Sequence, residues 1–170
     1  MLKRMKTALL LVDVQNDFCP GGNLATARGD EVASKIAELI STPDSRTRDY
    51  VATVATQDWH IDPGAHFSEK PDFVDSWPVH CVADTYGAEI RGPVRRDLID
   101  QFFKKGEYSA AYSGFEGVNA DNTRLADWLR EQGAGTAVFA DVPDAKVRHF
   151  AAEARTVSAN VLSRMVEPKR

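Results

Sequence analysis

Cysteine is scarce in this sequence of 170 residues. The two cysteines are Cys19 and Cys81, so the second half of the chain has none. Two isolated cysteines do not form a disulfide framework, which excludes the disulfide-rich secreted class and makes a reducing cytoplasm the expected compartment. We expect both residues to be small, packed side chains and not reactive thiols.

An excess of positive charge is also missing. The formal net charge is −4, so we expect neither a nucleic-acid partner nor binding to an anionic membrane. The basic start of the chain, 1–6, is followed by an apolar run that is short and ends at Asp13 without a small-residue cleavage site. We therefore expect this run to be a buried first strand and not a signal peptide.

The chain alternates between apolar runs typical of strands and runs with helical periodicity. Residues 7–14 are almost continuously apolar, as expected for a central parallel strand that is covered on both faces. Further strands are predicted at 50–56 and 136–142, and 97–103 is apolar enough for another short element. Helices are predicted at 30–40, at 122–132 (capped by Asn122 and stopped by Gly133) and at 145–162. This alternation predicts an α/β fold, a three-layer α/β/α arrangement with a mainly parallel sheet in one domain over 1–170. Functional groups are then expected at the carboxyl ends of the strands.

Three of the four histidines follow the second predicted strand closely. Asp58 and His60 stand two residues apart at its end, so their side chains point to the same face. His66 follows a turn at Pro63 and Gly64 that can fold the chain back toward them. Mixed carboxylate and imidazole ligands suit one divalent ion such as Zn, Fe or Mn. The alternative is a set of surface histidines in the long irregular stretch 63–93, although long loops of this kind are usually functional.

A set of motifs occurs in order between residues 7 and 132. They are Leu11-Val12-Asp13-Val14-Gln15-Asn16-Asp17-Phe18, Asp58-Trp59-His60, Gly64-Ala65-His66-Phe67-Ser68, Trp77-Pro78-Val79-His80-Cys81, Lys105-Gly106 and Tyr112-Ser113-Gly114-Phe115-Glu116-Gly117. In these motifs the sequence resembles the isochorismatase-like cysteine hydrolases, and within them the nicotinamidase/pyrazinamidase family.

The resemblance implies hydrolysis of nicotinamide to nicotinate and ammonia, a step of NAD salvage and pyridine nucleotide biosynthesis. Asp13 would be the general base and Lys105 its cationic partner, with their charged ends facing each other in the cleft that holds the metal. The implied metal ligands are Asp58, His60, His66 and His80, and the side chains implied to line a slot for the pyridine ring are Phe18, Trp77 and Tyr112.

The sequence departs from the family at the nucleophile. The family attacks the amide with a cysteine thiolate, which should follow the strand after Gly133, and no cysteine lies there. In one alignment Lys146 occupies the position of that cysteine, and the chain ends early. In the other, the segment with the cysteine is deleted, 136–141 matches the family's final strand and 151–161 its final helix. Either way the C-terminal part is truncated or altered.

Two functions remain open from the sequence. The chain is a metal-dependent nicotinamidase-type amidohydrolase, or a catalytically impaired relative that binds a metal ion and a pyridine ligand. A metal-independent relative that acts on isochorismate is disfavoured because the ligand set is complete. The expected partner is a small pyridine carboxamide, and the chain is expected to act as a monomer or homo-oligomer in the cytoplasm.

Overall fold

The apolar run near the start of the chain is the central strand of the sheet. In the computed structural model, which describes residues 6–42, 50–141 and 156–158, this strand (β1) spans Lys6–Val12. Its residues from Ala8 to Leu11 are buried whichever face of the sheet they point to. A parallel strand that is covered on both faces needs such a continuous apolar run.

The other helices and strands follow β1 along the chain. They are α1 (Gly29–Ser41), β2 (Tyr50–Asp58), β3 (Gln101–Lys105), α2 (Leu125–Glu131), β4 (Ala134–Asp141) and β5 (Thr156–Ser158). The strand order is β3-β2-β1-β4-β5. β1 pairs in parallel with β2 and β4, β2 pairs in parallel with β3, and β5 runs antiparallel to β4. The predicted mainly parallel sheet is confirmed.

The two helices cover opposite faces of the sheet. On one face, Ile36 of α1 packs in a core cluster with Leu9. On the other face, Leu129 of α2 packs in a second cluster with Leu10. Because neighbouring residues of a strand point to opposite faces, these two clusters define three layers, as predicted. Neither α1 nor α2 is long and apolar enough to cross a membrane, and no other helix among the described residues is.

The second helix begins later than predicted because a turn occupies its expected start. Asn122 has a φ of +60°, which does not suit the first residue of a helix. The Asn119 side chain accepts the backbone N–H groups of Asp121 and Thr123, at 3.1 and 2.8 Å, and holds the turn. The prediction of Asn122 as the cap is therefore wrong. Gly133 was predicted correctly as the stop, with a φ of +71°.

The helix predicted over 145–162 is also wrong where the structure describes this stretch. Thr156–Ser158 is a strand that pairs with β4 through Val138, Ala137 and Thr136. The β-branched residues Thr156 and Val157 favour an extended chain, and β4 offers a backbone edge to pair with. The alignment that matched 151–161 to a final helix is contradicted at these residues. Lys146 lies outside the described residues.

Candidate metal centre and active site

Three neighbouring strands deliver charged side chains to one edge of the sheet. Asp13 directly follows β1, Asp58 is the last residue of β2, and Lys105 is the last residue of β3. Asp58 and Lys105 face each other in the ladder between β2 and β3. The carboxyl ends of parallel strands meet at the same edge, and this brings together residues that are far apart in the sequence.

Lys105 connects the two carboxylates. Its ammonium nitrogen lies 3.0 Å from Asp13 Oδ2, and it also donates to Asp58 Oδ1 and to the carbonyl of Ala111. Burial alone would lower the pKa of Lys105, but the charges of Asp13 and Asp58 more than offset burial, so the pKa lies above its usual value. Lys105 therefore keeps its charge inside the protein. The expectation that Asp13 and Lys105 face each other agrees with this geometry.

The second carboxylate oxygen of Asp13 is also held. Thr56 donates from its hydroxyl to Asp13 Oδ1 at 2.7 Å. Asp13 itself has a φ of +51°, in the left-handed region, where aspartate is tolerated better than most residues. With one oxygen bound by a hydroxyl and the other by an ammonium, this carboxylate has a fixed orientation.

Next to this pair lies a cluster of buried imidazoles from three separate segments. His60 follows β2, His66 ends the short 3₁₀ turn Gly64–His66, and His80 lies in the loop beyond it. Each offers a ring nitrogen within 4.8 Å of the others. Asp58 Oδ2 lies 3.7 Å from His60 Nε2 and 3.8 Å from His80 Nε2. The predicted ligand set therefore comes together, with Asp58 shared between the imidazoles and Lys105.

The hydrogen bonds of two imidazoles suit metal binding. His60 Nδ1 lies 2.6 Å from the Gly106 carbonyl, and His80 Nδ1 lies 2.7 Å from the Pro78 carbonyl. A carbonyl only accepts, so Nδ1 is the donor in each of these two contacts and Nε2 is the ring nitrogen that could bind a metal ion. His60 Nε2 is buried and has no hydrogen-bond partner among the described residues. Ligands of a tetrahedral zinc ion stand roughly 3–4 Å apart, so these residues fit a divalent ion.

The three aromatic residues predicted for the ring slot are not equivalent. Phe18 is buried, and its ring centroid lies 5.7 Å from that of His80. Tyr112 is 46% exposed, and its ring centroid lies 5.8 Å from that of His66. Trp77 is buried, and its ring packs edge-on against Phe73, while its backbone pairs with His66. Phe18 and Tyr112 thus border the imidazoles directly.

Both cysteines of the chain are buried. Burial raises the pKa of the Cys19 thiol to about 11, so this thiol stays protonated at neutral pH. Cys81 belongs to the core cluster beneath α1, and its backbone N–H donates to Asp17 Oδ2 at 2.7 Å. The prediction that these residues are packed side chains agrees with their burial.

Sequence reasoning missed several residues that fix the positions of the charged and imidazole side chains. Thr56 lies two positions before Asp58 on the same strand, so the two-residue period of β2 was a signal for its contact with Asp13. Phe67 packs edge-on against the rings of His60 and His80, and its position directly after His66 was a weaker signal. Gln15 contacts the backbone of Asp58, and nothing in the sequence indicated that pairing.

The sheet order, the polar strand ends and the imidazole cluster define an α/β protein with a candidate metal centre beside a carboxylate–lysine pair. The family model described as "Isochorismatase domain" matches residues 7–140, and the chain belongs to that family. It is 48% identical over 126 residues to the nicotinamidase/pyrazinamidase of Mycobacterium tuberculosis, an alignment that covers 74% of this chain and 66% of the relative.

Solved structures show the same likeness. The pyrazinamidase of Pyrococcus horikoshii in complex with zinc has a TM-score of 0.65 and 34% identity, covering 81% of this chain and 71% of that chain. The yeast nicotinamidase bound to the inhibitor nicotinaldehyde has a TM-score of 0.64 and 26% identity, covering 81% and 75%. The chain spans about two thirds of the length of the curated relatives that it matches, with 66% and 64% for two of them.

Proposed function

We propose that the chain is a metal-dependent amidohydrolase of the nicotinamidase type, which converts nicotinamide and water to nicotinate and ammonia. The observation that carries this proposal is the connection through Lys105, which joins the Asp13 carboxylate to Asp58 beside the three imidazoles. The similarity to nicotinamidases supports the choice of substrate. The reaction belongs to pyridine nucleotide salvage, and we propose that it takes place in the cytoplasm, with the chain a monomer or homo-oligomer.

Asp13 has the geometry of a general base. Its carboxylate is held by Thr56 and Lys105 and is partly exposed, so it can accept a proton from the attacking group and deliver it to the departing ammonia. Lys105 offsets the negative charge that builds up as the amide is attacked. This charge is available because the ammonium remains protonated despite its burial.

Asp58, His60, His66 and His80 would hold a divalent ion, which we propose is Zn, Fe or Mn. Such an ion acts as a Lewis acid toward the ring nitrogen of the substrate or toward water. The relative from Pyrococcus horikoshii was solved with zinc, and imidazole with carboxylate suits all three metals. His60 and His80 contribute through Nε2 because their Nδ1 atoms donate to backbone carbonyls.

Phe18 and Tyr112 would contact the pyridine ring beside the imidazoles, with Trp77 supporting the loop that carries His66. A flat aromatic ligand gains from apolar burial between such rings. The binding of nicotinaldehyde by the yeast relative supports a pyridine carbonyl compound as the ligand class.

The test is ammonia release from nicotinamide by the purified chain, loaded in turn with each metal. Asp13→Asn is the matched variant, because asparagine has the same shape, tolerates the left-handed backbone and cannot act as the base. Release that requires metal and is lost in the variant supports the proposal. Robust release by Asp13→Asn would contradict the role of the base.

A second candidate is a relative that binds metal and a pyridine ligand without turnover. It is favoured by the burial of both cysteines and the raised pKa of Cys19, which leave neither described thiol suited to act as the nucleophile. Metal-dependent binding of nicotinate, measured by calorimetry, with no ammonia release would select this candidate. Failure to bind either metal or nicotinate would contradict both functions.

A further inference from the structure

We propose that Gln15 is a positioning residue for the metal ligand Asp58, and that it acts by taking the place of a missing strand residue. The inference rests on the metal site of the proposed function. It concerns a buried amide that has no other role in that mechanism.

β1 separates from β2 at the residue that serves as the base. The backbone ladder ends with Val12 opposite Thr56, and Asp13 turns away with a φ of +51°. Its N–H still donates to the Thr56 carbonyl, but at 3.3 Å. This turn directs the Asp13 side chain toward Lys105, and it removes the strand residue that would have paired with Asp58.

The Gln15 side chain supplies that pairing. Its Nε2 donates to the Asp58 carbonyl at 2.8 Å, and its Oε1 accepts the Asp58 N–H at 2.9 Å. These two bonds resemble one rung of a β-ladder, with a side-chain amide in place of a peptide group. Both backbone polar groups of Asp58 are fixed by one residue, so the direction in which its side chain leaves the backbone is fixed too.

The amide itself is fully used. Gln15 is 0% exposed, and the second hydrogen of Nε2 donates to the Ala88 carbonyl at 2.8 Å. A buried amide with both donors and its acceptor engaged cannot rotate without breaking hydrogen bonds. It therefore holds Asp58 with Oδ1 toward Lys105 and Oδ2 toward the imidazoles.

A neighbouring residue offers a matched control. Gln57 is also buried and also donates to the Ala88 carbonyl at 2.8 Å, whereas the two side-chain bonds to the Asp58 backbone come from Gln15. Replacing either glutamine with methionine removes an amide of the same size from the same region. Only the change at Gln15 removes the pair of bonds on Asp58.

The experiment is a cobalt titration of the full chain against a competing chelator, followed by the visible spectrum of the bound ion. Supporting residues around metal ligands typically contribute about 10- to 100-fold in affinity, so Gln15→Met should weaken cobalt binding by about that factor and shift the spectrum. The cobalt affinity of Gln57→Met should be within about twofold of that of the parent, since the Gln57 amide bonds to Ala88 and does not support a metal ligand. Equal affinities for Gln15→Met and the parent, or equal losses in both variants, would overturn the proposal.

If Gln15→Met does not fold, Gln15→Asn decides the question. Asparagine keeps a buried amide but retracts it by one methylene, so it cannot make both bonds to Asp58. A weaker, spectrally altered cobalt complex supports the proposal, and an unchanged complex contradicts it. If the parent chain binds neither cobalt nor zinc, the metal site is overturned as well. If the parent binds and both Gln15 variants bind as tightly as the parent, only the role of Gln15 is overturned.

Discussion

Gly106 is a residue whose lack of a side chain matters to the metal centre. Its carbonyl accepts from His60 Nδ1, its φ is +74°, and a Cβ placed on it would lie 2.7 Å from His60 Cε1. An alanine here must push the imidazole aside, because real Cβ atoms do not approach a ring so closely. We expect Gly106→Ala to weaken zinc binding by at least about tenfold, the lower end for a lost supporting contact, measured by competition with a chelator.

Gly133 is the matched control for this change. It has a similar φ of +71°, but a Cβ there would meet nothing within 4 Å. Gly133→Ala should therefore cost only the backbone strain of about 1–2 kcal/mol, seen as a lower free energy of unfolding in urea, with zinc affinity unchanged. If Gly133→Ala also loses zinc, the effect of Gly106→Ala is general destabilisation and not displacement of His60.

Lys105 should be as important for stability as for chemistry. Removing it leaves the buried carboxylate of Asp58, and that of Asp13 beside it, without their counter-charge. We expect Lys105→Met to lower the free energy of unfolding of the metal-free chain by about 3–5 kcal/mol. Lys35→Met, which removes only an exposed pair with Glu31, should leave that free energy nearly unchanged. Comparable urea midpoints for the two variants would contradict the expected contribution of Lys105 to stability.

The charged and imidazole side chains that come together at the candidate site could be predicted from the sequence, and the residues that hold them in place could not. Asp58 and His60 were accessible through their two-residue spacing and the turn before His66. The role of Gln15 was not accessible, because its partner Asp58 is 43 positions away. The two residues can pair only because β1 diverges from β2 before Asp58.

At the level of elements, the apolar periodicity predicted the strands and helices of the sheet region, since burial on one or two faces leaves a clear pattern. It failed at the start of α2, where the Asn119 side chain stabilises a turn, and at Thr156–Ser158, where a helical stripe of apolar residues competed with β-branched residues next to an available edge. Local hydrogen bonding and tertiary pairing decided these two cases.

The contribution of the second face of the sheet to stability can be tested by a substitution in the short helix α2. Leu129 is 1% exposed and packs in the cluster with Leu125 and Leu10. Leu129→Ala should lower the free energy of unfolding by about 2–5 kcal/mol through lost burial and the cavity that remains. Arg130→Ala, on the exposed side of the same helix, should have a much smaller effect. Similar losses in urea titrations would contradict the importance of Leu129 packing on this face of the sheet.

At the level of the whole molecule, the rate of the proposed reaction depends on the group that attacks the amide. Without a thiolate beside the base, we expect the chain to release ammonia from nicotinamide at least about a thousandfold more slowly than the relative from Mycobacterium tuberculosis, because the members of a catalytic unit act together. Lys146 cannot replace the thiolate, since an amine that attacks an amide gives a stable amide product.

The corresponding variant is Lys146→Cys, which restores a thiol at the position given by one alignment. It should raise steady-state ammonia release, whereas Lys146→Ser should raise it far less because serine is the weaker nucleophile. Fast turnover by the unmodified chain would contradict this prediction and direct attention to Cys19, Cys81 or water as the nucleophile.

The candidate ligands His66 and His80 lie in the stretch after β2 that has little regular structure, while Asp58 belongs to the sheet. An ion held by both parts would close this stretch into a ring and restrict the unfolded chain in the way that a cross-link does. Among the described residues, the core clusters beneath α1 and α2 contain none from the part of this loop over 61–80. Withdrawal of the ion should therefore open the loop as a separate cooperative unit, so that its amide hydrogens exchange with solvent while those of β1 and β2 stay protected.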